Sequence, residues 1–299
     1  MSDSTSLPIA FAPPPWTLKA TLYSFLIYVT PQEALELSEN QFIYAPLEAK
    51  SSGAEDKFLG GLATVQIFRY SESPAGPYDE LLIVPGKFEY DFDVEGKGTE
   101  KRTNLRVSRI YVSQEKTCWN GRKNWNIPKH LAHFKFQDLP NGATKISVYP
   151  LELDTAGIES RIPALPFFSA IYKDTPYFPS FPSSTETAKY FGLDLNLVQP
   201  PLPEGKGALG ELPGTGQWCK LLPVITSPKI SIGWWDMKSG DAHQEDSLLE
   251  REGNEATSAG FENWWPGIGR WRFGMKMEDA TILFGVPETW ERKNGTHTE

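Results

Sequence analysis

Short β-branched and aromatic runs, each closed off by turn formers and none separated from the next by a helix-length pattern, restrict this chain more than any other feature. Residues 62–70, 80–84, 105–113, 133–137, 144–149, 167–172 and 218–235 read as strands on this pattern. Without helices between successive strands, a parallel βαβ sheet is disfavoured, and an antiparallel sheet that curls or closes is expected. The reading is mainly β and barrel-like, with a few short helices. Residues 21–30 form a further β-like run, delivered by the stiff leader Pro13-Pro14-Pro15-Trp16. A short helix is expected over 31–37, capped by Thr30 and started by Pro31. No fixed-period repeat or sustained heptad is visible, so solenoids and coiled coils are excluded. One domain over 1–299 is expected. It carries a flexible loop near 199–216, with prolines at 200, 201, 203 and 213, and an acidic surface insertion near 238–260.

Charge and cysteine usage exclude several functions. Twenty-nine Lys and Arg against 38 Asp and Glu give a net charge of -9, which repels nucleic-acid backbones and anionic lipid. Two cysteines and four histidines are too few for a disulfide framework or a Cys-rich zinc site, so no metal is expected and a cytoplasmic setting is the simpler reading. The start, Met1-Ser2-Asp3-Ser4, has no basic region of the secretory kind. The most apolar stretch, 20–29, is about half of the ~20 residues a membrane helix needs. Asn294-Gly295-Thr296 fits a glycosylation acceptor, read here as coincidental.

The densest chemical signal runs from Asn120 through Gly121, Arg122, Trp125, Pro128, Lys129 and His130 to Ala132. Pro128 suits a first helical position, which puts Lys129 in an opening turn where the helix dipole is positive. That field, neighbouring cations and burial beside Trp125, Ile127 and Leu131 all disfavour a second positive charge, so a neutral, nucleophilic Lys129 amine is expected. The plain alternative is an exposed lysine at a turn.

Gly121-Arg122 followed by Pro128-Lys129 resembles the Gly-Arg…Pro-Lys signature of the acetoacetate decarboxylase-like superfamily. Tyr78-Asp79-Glu80 upstream matches the family's Tyr-x-Glu. The resemblance covers about residues 16–149, and the wording of 121–134 is most similar to fungal members linked to polyketide secondary metabolism. It implies a closed or cone-shaped antiparallel barrel in which Lys129 forms a Schiff base with a substrate ketone, activated by desolvation or an adjacent cation. It further implies decarboxylation of a β-keto acid without cofactor, Glu80 as the second catalytic residue, and Arg122, Trp125 and His130 on the substrate side. A homo-oligomer is consistent with the family. Where the family carries a second lysine this chain has His130, and where it uses an arginine near the first strand only Lys19 is found.

Other readings stay open. Arg122 binds a carboxylate through its planar fork or pins a loop through backbone carbonyls, the second being preferred. Glu80 is alternatively a surface acid after a turn. The same imine also serves aldol condensation, dehydration or cyclisation, and a non-catalytic barrel holding an apolar ligand in an aromatic interior is a rival of another class. The aromatic and cationic run 263–272 reads as a Trp-packed closing strand.

Overall fold

The alternation along β1 (Trp16–Val29) builds two cores from one strand. Trp16, Leu18, Ala20 and Leu22 are buried on one side. The alternation runs on unbroken, and further along the strand the odd positions Tyr23, Phe25, Ile27 and Val29 are buried on the other face, the extra residue of the register shift between Ala20 and Leu22 lying on the facing strand. The computed structural model describes residues 9–39, 43–151, 166–207, 209–236 and 273–292. The acidic run 238–260, the stretch 263–272 and Asn294-Gly295-Thr296 lie outside the described residues.

After β1 come α1 (Pro31–Glu39), β2 (Lys57–Glu72), β3 (Tyr78–Val84), β4 (Lys87–Val94), β5 (Gly98–Leu105) and β6 (Arg109–Val112). Then follow α2 (Glu115–Trp125), β7 (Lys129–Asp138), β8 (Thr144–Pro150), β9 (Phe168–Asp174), β10 (Phe181–Ser184) and β11 (Leu197–Gln199). β12 (Trp218–Leu221), β13 (Val224–Asp236), β14 (Phe273–Phe284) and β15 (Glu288–Trp290) complete the order. Among the described residues nine strands close a ring in the order β1-β14-β13-β9-β8-β7-β6-β3-β2, and β2 pairs back onto β1. A second, smaller sheet continues from β2 through β4, β5, β11, β12 and β15. The expected mainly β barrel with few helices is the observed architecture.

The lumen is filled. Tyr23 reaches across it to Tyr172, with ring centroids 5.4 Å apart, and Phe25 packs on Trp235 at 5.3 Å. Val65, Ile67, Leu81, Ile83, Ile146 and Val148 join that cluster. Side chains occupy this space closely. The second core lies on the opposite face of β1, β2, β3 and β6, under α2, β11 and β12.

α1 begins as expected: Thr30 N–H donates to Glu33 Oε2 at 2.8 Å, and Glu33 N–H donates back to Thr30 Oγ1 at 3.2 Å. Three expectations need correction. Residues 218–235 form two strands in different sheets, because Pro223 cannot donate to a ladder and breaks the run. Residues 105–113 likewise split between β5 and β6. The third concerns α2, an 11-residue helix that the strand pattern did not reveal. It crosses between β6 and β7, the parallel pair of the ring, so a single βαβ unit sits inside an otherwise antiparallel barrel.

Candidate active site

The crossover delivers the lysine. α2 is capped at its start by Gln114, whose side chain accepts from Thr117 N–H at 3.1 Å. It ends at Asn126, which adopts φ 53° and donates its N–H to Arg122 O at 3.0 Å. Pro128 therefore follows the helix instead of starting one, and Lys129 is the first residue of β7. The expected opening-turn position is thus corrected: the helix dipole there points its negative end towards the chain leaving it.

Lys129 is 4% exposed and Glu80 2%. Lys129 Nζ donates to Glu80 Oε2 at 2.8 Å and to Thr117 Oγ1 at 3.1 Å, and it lies 5.0 Å from the centre of the Tyr78 ring. Tyr70 O–H donates to the other carboxylate oxygen, Glu80 Oε1, at 3.2 Å. Burial pushes the Lys129 amine down, but the Glu80 carboxylate and Tyr78 more than offset this and hold it above its ordinary value. The resting amine is an ammonium, which corrects the expectation of a neutral one. Burial pushes the Tyr78 phenol up to about 12, against the pull of Lys129. Burial and the Glu80 charge push Tyr70 well above its ordinary value too, so both phenols stay protonated.

This pair forms the polar end of a cavity of about 130 Å³ on the outer face of the barrel wall. Tyr78, Glu80, Leu82 and Val84 face it from β3, alternating with Leu81 and Ile83, which face the lumen. Trp16, Leu18, Phe68, Trp125, Ile225 and Phe284 supply much of the apolar lining. Glu80 and Lys129 are its only charged members among the described residues.

The other expected site residues divide. Trp125 lines the cavity, donates its indole N–H to Gly285 O at 2.9 Å and packs edge-on against Trp16 at 5.2 Å. Arg122 is fully buried but not in the lining. Its guanidinium donates to Glu48 Oε1 at 2.8 Å, Pro203 O at 2.8 Å, Pro213 O at 3.1 Å and Lys129 O at 3.2 Å. Its geometry is that of the loop-pinning alternative, with Pro203 O and Pro213 O of the loop near 199–216 as acceptors. His130 points to the other face of β7, where Nε2 lies 2.8 Å from Glu48 Oε2. It does not stand beside the Lys129 amine, as a second lysine would have been expected to. Lys19 is exposed and donates to Thr281 Oγ1 at 2.7 Å. Among the described residues no cluster of three or more metal-ligating side chains occurs. No helix among them is long and apolar enough to cross a membrane.

Sequence reasoning missed Thr117, Tyr70 and Glu48. Tyr70 was within reach, since it continues the period-2 face of Thr64, Gln66 and Phe68 on β2. Thr117 and Glu48 lie far from their partners in sequence and carry no local signal.

The closed ring, with its lysine crossover and smaller flanking sheet, is the acetoacetate decarboxylase-like fold. An acetoacetate decarboxylase from Legionella pneumophila aligns over 96% of this chain and 94% of its own, with a TM-score of 0.51 at 12% identity. Among curated proteins, NEOXANTHIN-DEFICIENT 1 of Solanum lycopersicum is 27% identical over 135 residues, 45% of this chain and 39% of that protein. Its namesake from Oryza sativa subsp. japonica is 29% identical over 91 residues, 30% of this chain and 26% of that protein. The matches therefore span well under half the length of either plant relative, and they contrast with the expected fungal kinship. No family model matches the chain.

Proposed function

We propose that the chain is a Schiff-base enzyme in which Lys129 condenses with a ketone or aldehyde and needs no metal or organic cofactor. The observation that carries this reading is the buried 2.8 Å contact between the Lys129 amine and the Glu80 carboxylate at the end of an apolar cavity. A lysine ammonium buried in this way is costly unless it is paired, and the pair stores the proton that imine formation needs.

Lys129 first gives its proton to Glu80. The free amine then attacks the carbonyl carbon, and Glu80 returns the proton to the carbinolamine oxygen, which leaves as water. The product is an iminium beside an anionic Glu80, and charge is conserved throughout. For a β-keto acid of polyketide type, the bond to the carboxyl group breaks and its electron pair flows into the iminium. Carbon dioxide and an enamine result. The enamine carbon takes a proton from water by way of Glu80, and hydrolysis frees the ketone and the lysine. This is the carbon–carbon lyase reaction that the resemblance implies.

A second reading uses the same iminium for aldol condensation, dehydration or cyclisation, and it is favoured by the lack of a second cation in the described lining. A cytoplasmic setting belongs to the same proposal, with two free, buried cysteines in its support. Borohydride reduction in the presence of a carbonyl compound, followed by peptide mass mapping, tests the reading. An adduct on Lys129 is expected. No adduct, or one on another lysine, overturns it.

A further inference from the structure

If the Schiff-base reading holds, the polar groups of the cavity restrict its substrate. Glu80 and Lys129, the charged lining members, neutralise each other. The nearby arginines are committed elsewhere: Arg122 to Glu48 and Arg106 to Asp56, both at 2.8 Å, and neither lines the cavity. An uncharged carbonyl compound keeps the site neutral at every stage, because the ammonium charge becomes the iminium charge. A carboxylate substrate instead adds an uncompensated negative charge beside Glu80, in an apolar enclosure that supplies it no partner.

The neutral polar groups restrict it further. Tyr70 is spent on Glu80, and Tyr78 is hydrogen-bonded with Thr117 and Lys129. Thr64 Oγ1 bonds to Phe25 O at 3.3 Å, and Thr185 Oγ1 accepts from Ile225 N–H at 2.9 Å. Gln66 is the polar lining side chain with no hydrogen-bond partner among the described residues. It precedes Phe68, which is paired with Glu80, by two positions on β2, or roughly 7 Å along the strand.

We infer that the substrate is an uncharged ketone or aldehyde with an apolar body and a second neutral hydrogen-bonding group, a hydroxyl or carbonyl, which Gln66 binds at the far end from Lys129. With no carboxylate to lose, the iminium draws on an α C–H bond: Glu80 takes the proton and the electron pair forms the enamine. A β-hydroxyl then leaves as water with that proton, or the enamine adds to a second carbonyl.

The test is borohydride trapping on the full chain with octanone, its terminally hydroxylated analogue and the β-keto acid of the same chain length, each mapped by mass. The hydroxylated ketone is expected to label Lys129 about tenfold faster than either of the others. Gln66→Leu should bring the two neutral ketones to equal rates, and a thermal unfolding transition matching that of the parent chain shows that the variant is folded. The inference is overturned if the keto acid labels as fast as the hydroxylated ketone, or if Gln66→Leu keeps the hydroxyl preference. Absence of labelling by all three probes instead overturns the Schiff-base reading itself.

Discussion

The lysine stem of Lys129 lies along α2 at the one helical position without a side chain. A Cβ on Gly121 would stand 2.6 Å from Lys129 Cδ and 2.7 Å from Cε, closer than carbon atoms tolerate. The glycine of the Gly-Arg pair is therefore a positioning residue for the amine. Gly121→Ala should displace the stem and slow borohydride trapping by up to about 100-fold, while thermal unfolding shifts little. Equal trapping rates in the two proteins would remove that role. Glu80 sets the charge state. Glu80→Gln removes the carboxylate that holds the Lys129 amine above its ordinary value, so burial prevails and the amine deprotonates at lower pH. The alkaline limb of the trapping rate should move down by ~1–3 pH units, measured across a buffer series. An unmoved limb means that some other group holds the proton. Lys129 and Glu80 were legible as motif residues because their types and order carry the signal. Their pairing, the ammonium state of the amine, and the parts played by Thr117 and Tyr70 were not, since each depends on the closeness of segments distant in sequence.

Strands were legible where one face is apolar, and α1 was legible from its capped start. α2 was not, because much of what it buries is polar: Thr117, Asn120, Arg122 and Asn124 are turned inward along with Cys118, Gly121 and Trp125. Two apolar side chains among so many polar ones give hydrophobic periodicity little to register, although Gln114 and Asn126 mark the helix ends. Those inward polar groups fasten the crossover. Arg122 ties α2 to the 3-10 helix Glu48–Lys50, to the 200–216 connection and to the first residue of β7. Arg122→Ala leaves the Glu48 carboxylate buried with only His130 beside it and should cost about 3–5 kcal/mol in denaturant unfolding. A loss below about 1 kcal/mol, the range of an exposed ion pair, would contradict this account. Burial pushes the Glu48 carboxyl up, but His130 and Arg122 outweigh it and leave it below its ordinary 4.5. A depressed carboxylate pKa stabilises the fold above that value, and the contribution disappears as the pH falls through the folded-state pKa. Stability should therefore decline below pH 4.5, and Glu48→Gln should flatten that limb of the pH–stability curve. A decline of the same steepness in the variant would assign it to other carboxylates.

For the molecule as a whole, the alternating strands and scarce helices pointed to a closed sheet. They did not show that the cavity lies behind the wall, on the face away from the lumen. That follows from the burial of both faces of β1 and from the second sheet, whose strands β11 and β15 are too short to be read from pattern and whose β12 was read as one run with β13. Both cysteines sit in these cores. Burial pushes the Cys118 thiol far up and Cys219 up to about 12. A disulfide-exchange reagent should thus titrate no thiol in the folded protein and both in denaturant; rapid labelling of the native chain would show that a core opens. The cavity's position behind the wall divides labour within the chain. The ring that carries Glu80 and Lys129 keeps its own tightly filled interior, so exchanges at Leu195, Leu197 or Pro223 on the covering side can reshape what is admitted without disturbing the scaffold. Relatives that share the ring can thus differ in what they accept through the composition of that roof.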